Sequence, residues 1–182
     1  MKTETVITEV QKWVESIIVG LNLCPFAKRE VVAQTIRFAV AEAQTEEDLL
    51  ISLQSELNRL NSQPGIETTL VIHPFVLQKF ETFNQFLDLA DVLVEQMGLE
   101  GVFQIASFHP DYQFHGTNPN DAENFINRSP YPILHILREE SVARAVAEYP
   151  DADLIPQRNI ERVNNMGRAK LEAQLQACFS KE

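Results

Sequence analysis

Two histidines stand where a run of apolar residues stops at a proline. His73 directly precedes the proline of the segment "ETTLVIHP", and His109 directly precedes the proline of the segment "GVFQIASFHP". Asp111 follows His109 by two residues, and the pair predicts general acid–base chemistry in which a carboxylate assists an imidazole. The alternative is structural, because an imidazole at a strand end also caps a backbone carbonyl, and Asp111 also caps a turn.

The same side chains predict an optional metal site. His73, His109 and Asp111 supply imidazole and carboxylate groups, which are common ligands of a divalent transition metal. The sequence contains no HExxH, CxxC or EF-hand motif, so the site would lack a compact signature.

Cys24 and His135 complete the candidate catalytic set. Cys24 lies in "GLNLCPFAKRE", directly after the first predicted helix, and a thiol paired with a histidine would act as a nucleophile or redox group. A buried structural thiol is the alternative. His135 alternates with Ile133 and Leu137 along a predicted strand, which also fits a hydrogen-bonded core residue.

The stretch "NFINRSPYP" predicts a substrate-binding loop. Arg128 has the planar guanidinium that binds a carboxylate or phosphate through two hydrogen bonds. Asn127 and Ser129 flank it, and Tyr112 from the preceding loop joins the predicted set. The alternative is that Arg128 pairs with an internal carboxylate such as Asp111.

Alternating strands and helices must position these residues. Helices are predicted near residues 4–21, 45–60, 76–97, 118–127 and 140–149 and from 156 onwards, and strands near 34–41, 67–74, 101–109 and 131–139. The second helix has a capping box, Thr45 with Asp48, and Gly98 fits the C-terminal cap of the third. Asn118 or Asn120 is expected near the start of the short helix.

This order predicts an α/β fold. We expect a single layered domain over residues 1–182, with about four mostly parallel or mixed strands and flanking helices; an α+β sandwich is the alternative. The polar end of the final helix is expected to fray. If the strands are parallel, their carboxyl ends share one edge, where His73, His109 and the polar loops would form a pocket.

Composition disfavours several classes of partner and cofactor. The net charge of −11 disfavours binding to nucleic acid or to an anionic membrane surface. The six glycines form neither a Rossmann fingerprint nor a P-loop, so no nucleotide cofactor is expected. The start is unlike a signal peptide, and no apolar run reaches the roughly 18 residues of a membrane span. Two distant cysteines, Cys24 and Cys178, favour a reduced, cytoplasmic protein.

Three stretches together carry a family resemblance. "GLNLCPFA", "SFHPDYQFHGT" and "NRSPYPILHILRE" resemble a family of uncharacterised bacterial proteins, the domain of unknown function numbered 1415. The resemblance covers nearly the whole chain and implies a soluble bacterial protein, but it carries no assigned reaction. The residues that match its motifs are Cys24, Pro25, His109, Asp111, Tyr112, Gly116, Thr117, Asn127, Arg128, Ser129, Pro130, Tyr131 and His135.

Two hypotheses about function follow. The first is an enzyme or binding protein for a small molecule, with a His/Asp/Arg pocket at one sheet edge and Cys24 nearby. The second is a non-catalytic interaction or scaffold protein, in which these motifs hold the fold and an apolar patch on the first or last helix meets a partner. The substrate and the oligomeric state are open in both.

Overall fold

A computed structural model describes residues 2–180, and within them four strands form one sheet with helices on both faces. The predicted domain of residues 1–182 extends past this part at both ends. The strands are β1 (Ile36–Val40), β2 (Thr68–Ile72), β3 (Phe103–Phe108) and β4 (Ile133–Arg138). The helices are α1 (Thr3–Trp13), α2 (Ala27–Ala33), α3 (Glu46–Ser62), α4 (Phe80–Gln96), α5 (Glu139–Glu148), α6 (Ile155–Met166) and α7 (Arg168–Gln176).

The sheet is mixed, with the strand order β1-β2-β4-β3. β1 and β2 pair in parallel, whereas β4 runs antiparallel between β2 and β3. The α/β class is therefore confirmed, in its mixed form. The chain between β3 and β4 is a polar loop with a short 3₁₀ helix (Ala122–Ile126), so β4 enters against the direction of its neighbours. β1, β2 and β3 still point the same way, and their carboxyl ends share an edge.

One face of the sheet packs against α3 and α4. The predicted leucine face of α3 is fully buried, and the capping box is present, with Asp48 N donating to Thr45 Oγ1 at 3.1 Å and Thr45 N to Asp48 Oδ2 at 3.2 Å. α4 ends as predicted at Gly98, whose φ of +68° suits the left-handed position after a helix. α4 begins at Phe80 instead of Val76, because residues 73–79 form a loop.

The other face packs against α1, α6 and α7. The predicted first helix is present, but it changes at Val14 from an α-helix to a π-helix (Val14–Val19). Residues 20–23 end this helix, with Asn22 in the left-handed conformation at φ 50°. The π-helix inserts extra backbone into one turn, and such insertions often occur at functional sites.

Three features of the elements were not predicted from the sequence. α2 was not predicted, because its sequence has no apolar period and none of its described residues is buried. The short 3₁₀ helix begins close to Asn120, as expected, and its N-cap residue is Asp121. The final helix breaks at Gly167, with φ of 79°; beyond the break, where fraying is expected, α7 buries Leu171 and Leu175.

Candidate functional site

The strand directions bring His73 and His109 together on the α4 side of the sheet. Both are fully buried, and their rings lie 5.6 Å and 5.1 Å from the ring of Phe83. His73 Nδ1 donates to the carbonyl of Val76 at 3.1 Å, while its Nε2 is buried with no partner among the described residues. Burial lowers the pKa of His73 to about 4, so its ring is neutral.

Both ring nitrogens of His109 form hydrogen bonds with backbone atoms. Its Nδ1 accepts from the amide of Asp111 at 3.0 Å, which fixes the proton on Nε2, and Nε2 donates to the carbonyl of Leu77 at 3.2 Å. Leu77 has a φ of 58°, a conformation that few leucines adopt, and this bond helps to hold it. His109 therefore has the contacts of a structural strand-end residue.

The predicted metal set is not assembled. Asp111 meets His109 through its backbone amide, and its side chain is exposed. Among residues 2–180, no three His, Cys, Asp or Glu side chains are grouped so that they could hold a metal ion, and this includes His73, His109 and Asp111.

Arg128 and its neighbours hold the loop between β3 and β4. Arg128 donates to the carbonyls of Tyr112 at 3.3 Å and Pro119 at 2.8 Å, and its guanidinium lies 4.7 Å from the centre of the Phe125 ring. These contacts occupy the guanidinium within the loop. Burial lowers the pKa of Arg128, with nearby charges acting in both directions.

Ser129 and Tyr112 are also engaged internally. Ser129 is fully buried and donates to the carbonyl of Tyr131 at 2.6 Å. The ring of Tyr112 packs against Phe80 at 5.0 Å and Phe114 at 4.9 Å. Neither residue lines the large cavity described next.

A cavity of about 660 Å³ lies over the opposite face of the sheet, away from His73 and His109. Its floor consists of alternate side chains from the strands, and its walls come from the π-helix, α2, α5 and the start of α6. The floor is formed by Ile36, Thr68, Leu70, Ala106, Phe108, His135 and Leu137. Of the predicted site residues, Cys24, His135 and Asn127 line this cavity.

The edge where the pocket was predicted holds a smaller cleft. This cleft, of about 270 Å³, lies near the ends of β1 and β2 and is lined by residues that include Thr3, Glu42 and Phe75. None of the predicted site residues lines it. The predicted side chains are thus divided between a sealed strand-end cluster, an ordered loop and the large cavity.

His135 presents an unoccupied nitrogen in the large cavity. The hydroxyl of Thr68 donates its only hydrogen to the carbonyl of Ile136 at 2.7 Å, so its oxygen must accept from His135 Nε2, also at 2.7 Å. The proton therefore sits on Nε2, and Nδ1 carries a lone pair that receives no hydrogen bond from the described residues. Burial lowers the pKa of His135 to about 4, which keeps the ring neutral.

Asn127 and Asn159, like His135, use a nitrogen to donate a hydrogen bond and leave an acceptor atom without a partner. Asn127 Nδ2 donates to the carbonyl of Ser107 at 3.2 Å, and Asn159 Nδ2 donates to the carbonyl of Leu23 at 2.7 Å. A carbonyl accepts only from the amide nitrogen, so these bonds fix which end of each amide faces the backbone. Each Oδ1 remains without a hydrogen bond from the described residues, and both side chains line the cavity.

The thiol of Cys24 is held in its neutral form. Burial raises its pKa above the ordinary value, and hydrogen bonds from the backbone of Phe26 and Ala27 offset part of that rise. Cys24 also precedes α2, which the sequence did not predict, as well as following the first helix. The arrangement is that of a half-buried thiol on a cavity wall.

Two walls of the cavity are thinly packed. Of the described residues in α2 and α5, none is buried. The apolar side of α5, with Val142 and Ala145, faces the cavity instead of a core. The rings of Phe26 and Tyr149 meet edge to face at 5.6 Å and connect the start of α2 with the end of α5.

Carboxylates outnumber cations in the cavity lining. Glu30, Glu67 and Glu148 contribute to it together with Arg29 and Arg138. Arg29 donates to Glu30 at 2.8 Å, and the pKa of Arg29 is raised by Glu30 first, then by Glu67 and Glu148. Arg138 is held by backbone carbonyls, including that of Ile66 at 3.1 Å. Glu67 Oε1 is buried with no partner among the described residues.

Sequence comparison places the chain in a family. The family described as "Protein of unknown function (DUF1415)" matches residues 5–173. The chain belongs to this family. The match includes every residue that lines the cavity of this DUF1415 member, from Trp13 to Asn159. No curated protein and no solved structure matches the chain.

Within residues 2–180 of this DUF1415 protein, no helix is long and apolar enough to cross a membrane.

Of the large apolar side chains described as exposed, none lies on α1 or α7. Ile160, which is 39% exposed, is the one on the predicted final helix. On the elements where the scaffold hypothesis expects an apolar patch, Ile160 is thus the one large apolar side chain described as exposed.

Sequence reasoning missed Thr68, Asn159 and Glu67. A signal existed for two of them, since each is polar at a position where the periodicity predicts burial. Thr68 shares a strand face with Leu70, and Asn159 lies four residues before Val163 on one helical face. Glu67 gave no comparable signal, because it directly precedes β2, where a carboxylate is ordinarily exposed.

Proposed function

We propose that this protein binds a largely apolar small molecule in the cavity between the sheet, α2 and α5. The observation that carries the proposal is a cavity of about 660 Å³ whose two helical walls bury none of their described side chains. A bound molecule would complete the packing of these walls. Ligand pockets in proteins typically span about 300–1,000 Å³ and are mainly apolar with a few placed polar groups.

A catalytic role for the same cavity is the second candidate. It is favoured by the free Nδ1 of His135 in a cavity that Cys24 also lines. However, a pKa of about 4 makes His135 a weak base near neutral pH, and the raised pKa of Cys24 disfavours a thiolate nucleophile. Binding without reaction has the stronger support. Chemical change of a bound molecule, abolished by His135→Gln, would favour catalysis instead.

The test fills the cavity and measures the binding of a probe. N-phenylnaphthylamine is neutral and apolar, and its fluorescence rises on transfer from water to an apolar site. We expect saturable binding to the unaltered protein and at least about a tenfold loss of affinity in Ala145→Trp, because the indole would occupy ligand volume.

Ala147→Trp is the matched control. Ala147 lies on the same helix, is exposed and is absent from the cavity lining. This variant should bind the probe as the unaltered protein does. Equal loss in both variants, or no saturable binding to the unaltered protein, would contradict the proposal.

A further inference from the structure

Several hydrogen-bond acceptors in the cavity lack a donor among the described residues. His135 Nδ1, Asn127 Oδ1 and Asn159 Oδ1 are acceptors that receive no hydrogen bond from the described residues, while the ring N–H of His135 and one of the two N–H groups of each amide are used on a hydroxyl or carbonyl oxygen. Because each of those oxygens accepts a hydrogen bond, rotating the imidazole or either amide by 180° would break the bond. The buried and unpartnered Glu67 Oε1 adds a fourth acceptor.

The charges point the same way. Glu30, Glu67 and Glu148 face two guanidiniums, and both guanidiniums already donate to protein oxygens. The strongest anion-binding group predicted from the sequence, Arg128, lies outside the lining and is occupied by loop carbonyls. An anionic ligand would therefore enter a site in which carboxylates outnumber guanidiniums, and its neutral lining donors would be Ser141, Tyr149, the second N–H group of each amide and the weak Cys24 thiol.

We infer that the ligand is an amphiphile with an apolar body and a head that donates hydrogen bonds, either an alcohol or a protonated amine, and that the cavity rejects carboxylates. This inference rests on the proposed function, since it names the chemical class that the same cavity takes. A donor head would satisfy acceptors that otherwise remain unpaired when an apolar body excludes water. A carboxylate head would leave them unpaired and add like-charge repulsion.

The experiment compares heads of matched size on the unaltered protein. Decanol, decylammonium, methyl nonyl ether and nonanoate have the same number of non-hydrogen atoms and differ mainly in the head. Each is titrated, below its micelle-forming concentration, against the protein carrying N-phenylnaphthylamine. We expect decanol and decylammonium to displace the probe at concentrations about tenfold lower than the ether, the gain from one or two hydrogen bonds. Nonanoate should be the weakest competitor.

A variant then assigns the preference to the cavity. Asn159→Leu removes one acceptor and should reduce the advantage of decanol over the ether about threefold or more. Asn165→Leu, an exposed change on the same helix, should leave that advantage unaltered. The comparison of heads on the unaltered protein tests the inference even if Asn159→Leu fails to fold.

The outcomes separate the two proposals. If the probe binds and the ether or nonanoate competes as well as decanol, the chemical class is wrong while a binding cavity stands. If the probe does not bind to the unaltered protein at all, the proposed function itself is contradicted.

Discussion

At the scale of single residues, the histidines illustrate how partners decide a role. All three histidines in or next to strands are neutral in the fold, and burial is the main cause in each case. His109 has both nitrogens bonded to backbone, His73 has one buried nitrogen without a partner, and His135 has one in the cavity lining. The sequence placed them on strands but could not distinguish these states.

Buried neutral histidines make stability depend on pH. Burial lowers the pKa of His73 and His135 to about 4, whereas a histidine in an unfolded chain has a pKa of about 6.5. The unfolded state therefore takes up protons that the folded state does not. The stability that each histidine contributes is complete above about pH 6.5 and is lost as the pH falls toward its folded pKa. The loss in the free energy of unfolding is roughly 3 kcal/mol per histidine.

The free energy of unfolding in urea at several pH values checks this dependence. His135→Gln keeps an amide donor for Thr68 but cannot titrate. Between about pH 7 and pH 4.5, the free energy of unfolding of this variant should therefore fall by roughly 1–3 kcal/mol less than that of the unaltered protein. His115→Gln changes an exposed histidine and should follow the unaltered protein. Equal pH dependence in all three proteins would show that His135 is not held neutral by the fold.

At the scale of elements, local signals decided what the sequence could predict. α3 was predicted because its cap and its leucine period both lie within the helix itself. α2 was missed because it borders a cavity and therefore lacks a buried face. The position of β4 between β2 and β3, and the bond between His135 and Thr68, join residues far apart in sequence, so no local pattern reports them.

The end of the first helix depends on Gly20. In the turn that closes the π-helix, a Cβ on Gly20 would clash with the backbone carbonyl of Ser16. We expect Gly20→Ala to destabilise the protein by about 2 kcal/mol or more, because the neighbour is backbone and must shift. Denaturation in urea measures the change.

Gly65→Ala is the control for this prediction. Gly65 has open space where its Cβ would lie, and its φ is not in the left-handed region. The change should be neutral or stabilising, within about 1 kcal/mol, because alanine restricts the unfolded chain. If Gly20→Ala changed the free energy of unfolding as little as Gly65→Ala does, the close contact between residue 20 and the carbonyl of Ser16 would be contradicted.

At the scale of the whole molecule, the two faces of the sheet differ in completeness. The face against α3 and α4 is closed by fully buried leucines and phenylalanines. The other face is closed by α1, α6 and α7 over part of its area, and the cavity with its α2 and α5 walls takes up the rest. A ligand in this position would stabilise the open side of the molecule and leave the packed side nearly unchanged.

Amide hydrogen exchange with and without N-phenylnaphthylamine tests this central claim most directly. At about a hundred times the dissociation constant, exchange that requires opening of the cavity should slow by up to about a hundredfold. We predict that the slowing concentrates in α2 and α5, while the exchange of exposed amides at the ends of α3 and α4 stays unchanged. Slowing on the α3 and α4 face, or none in α2 and α5 despite bound probe, would contradict binding in this cavity.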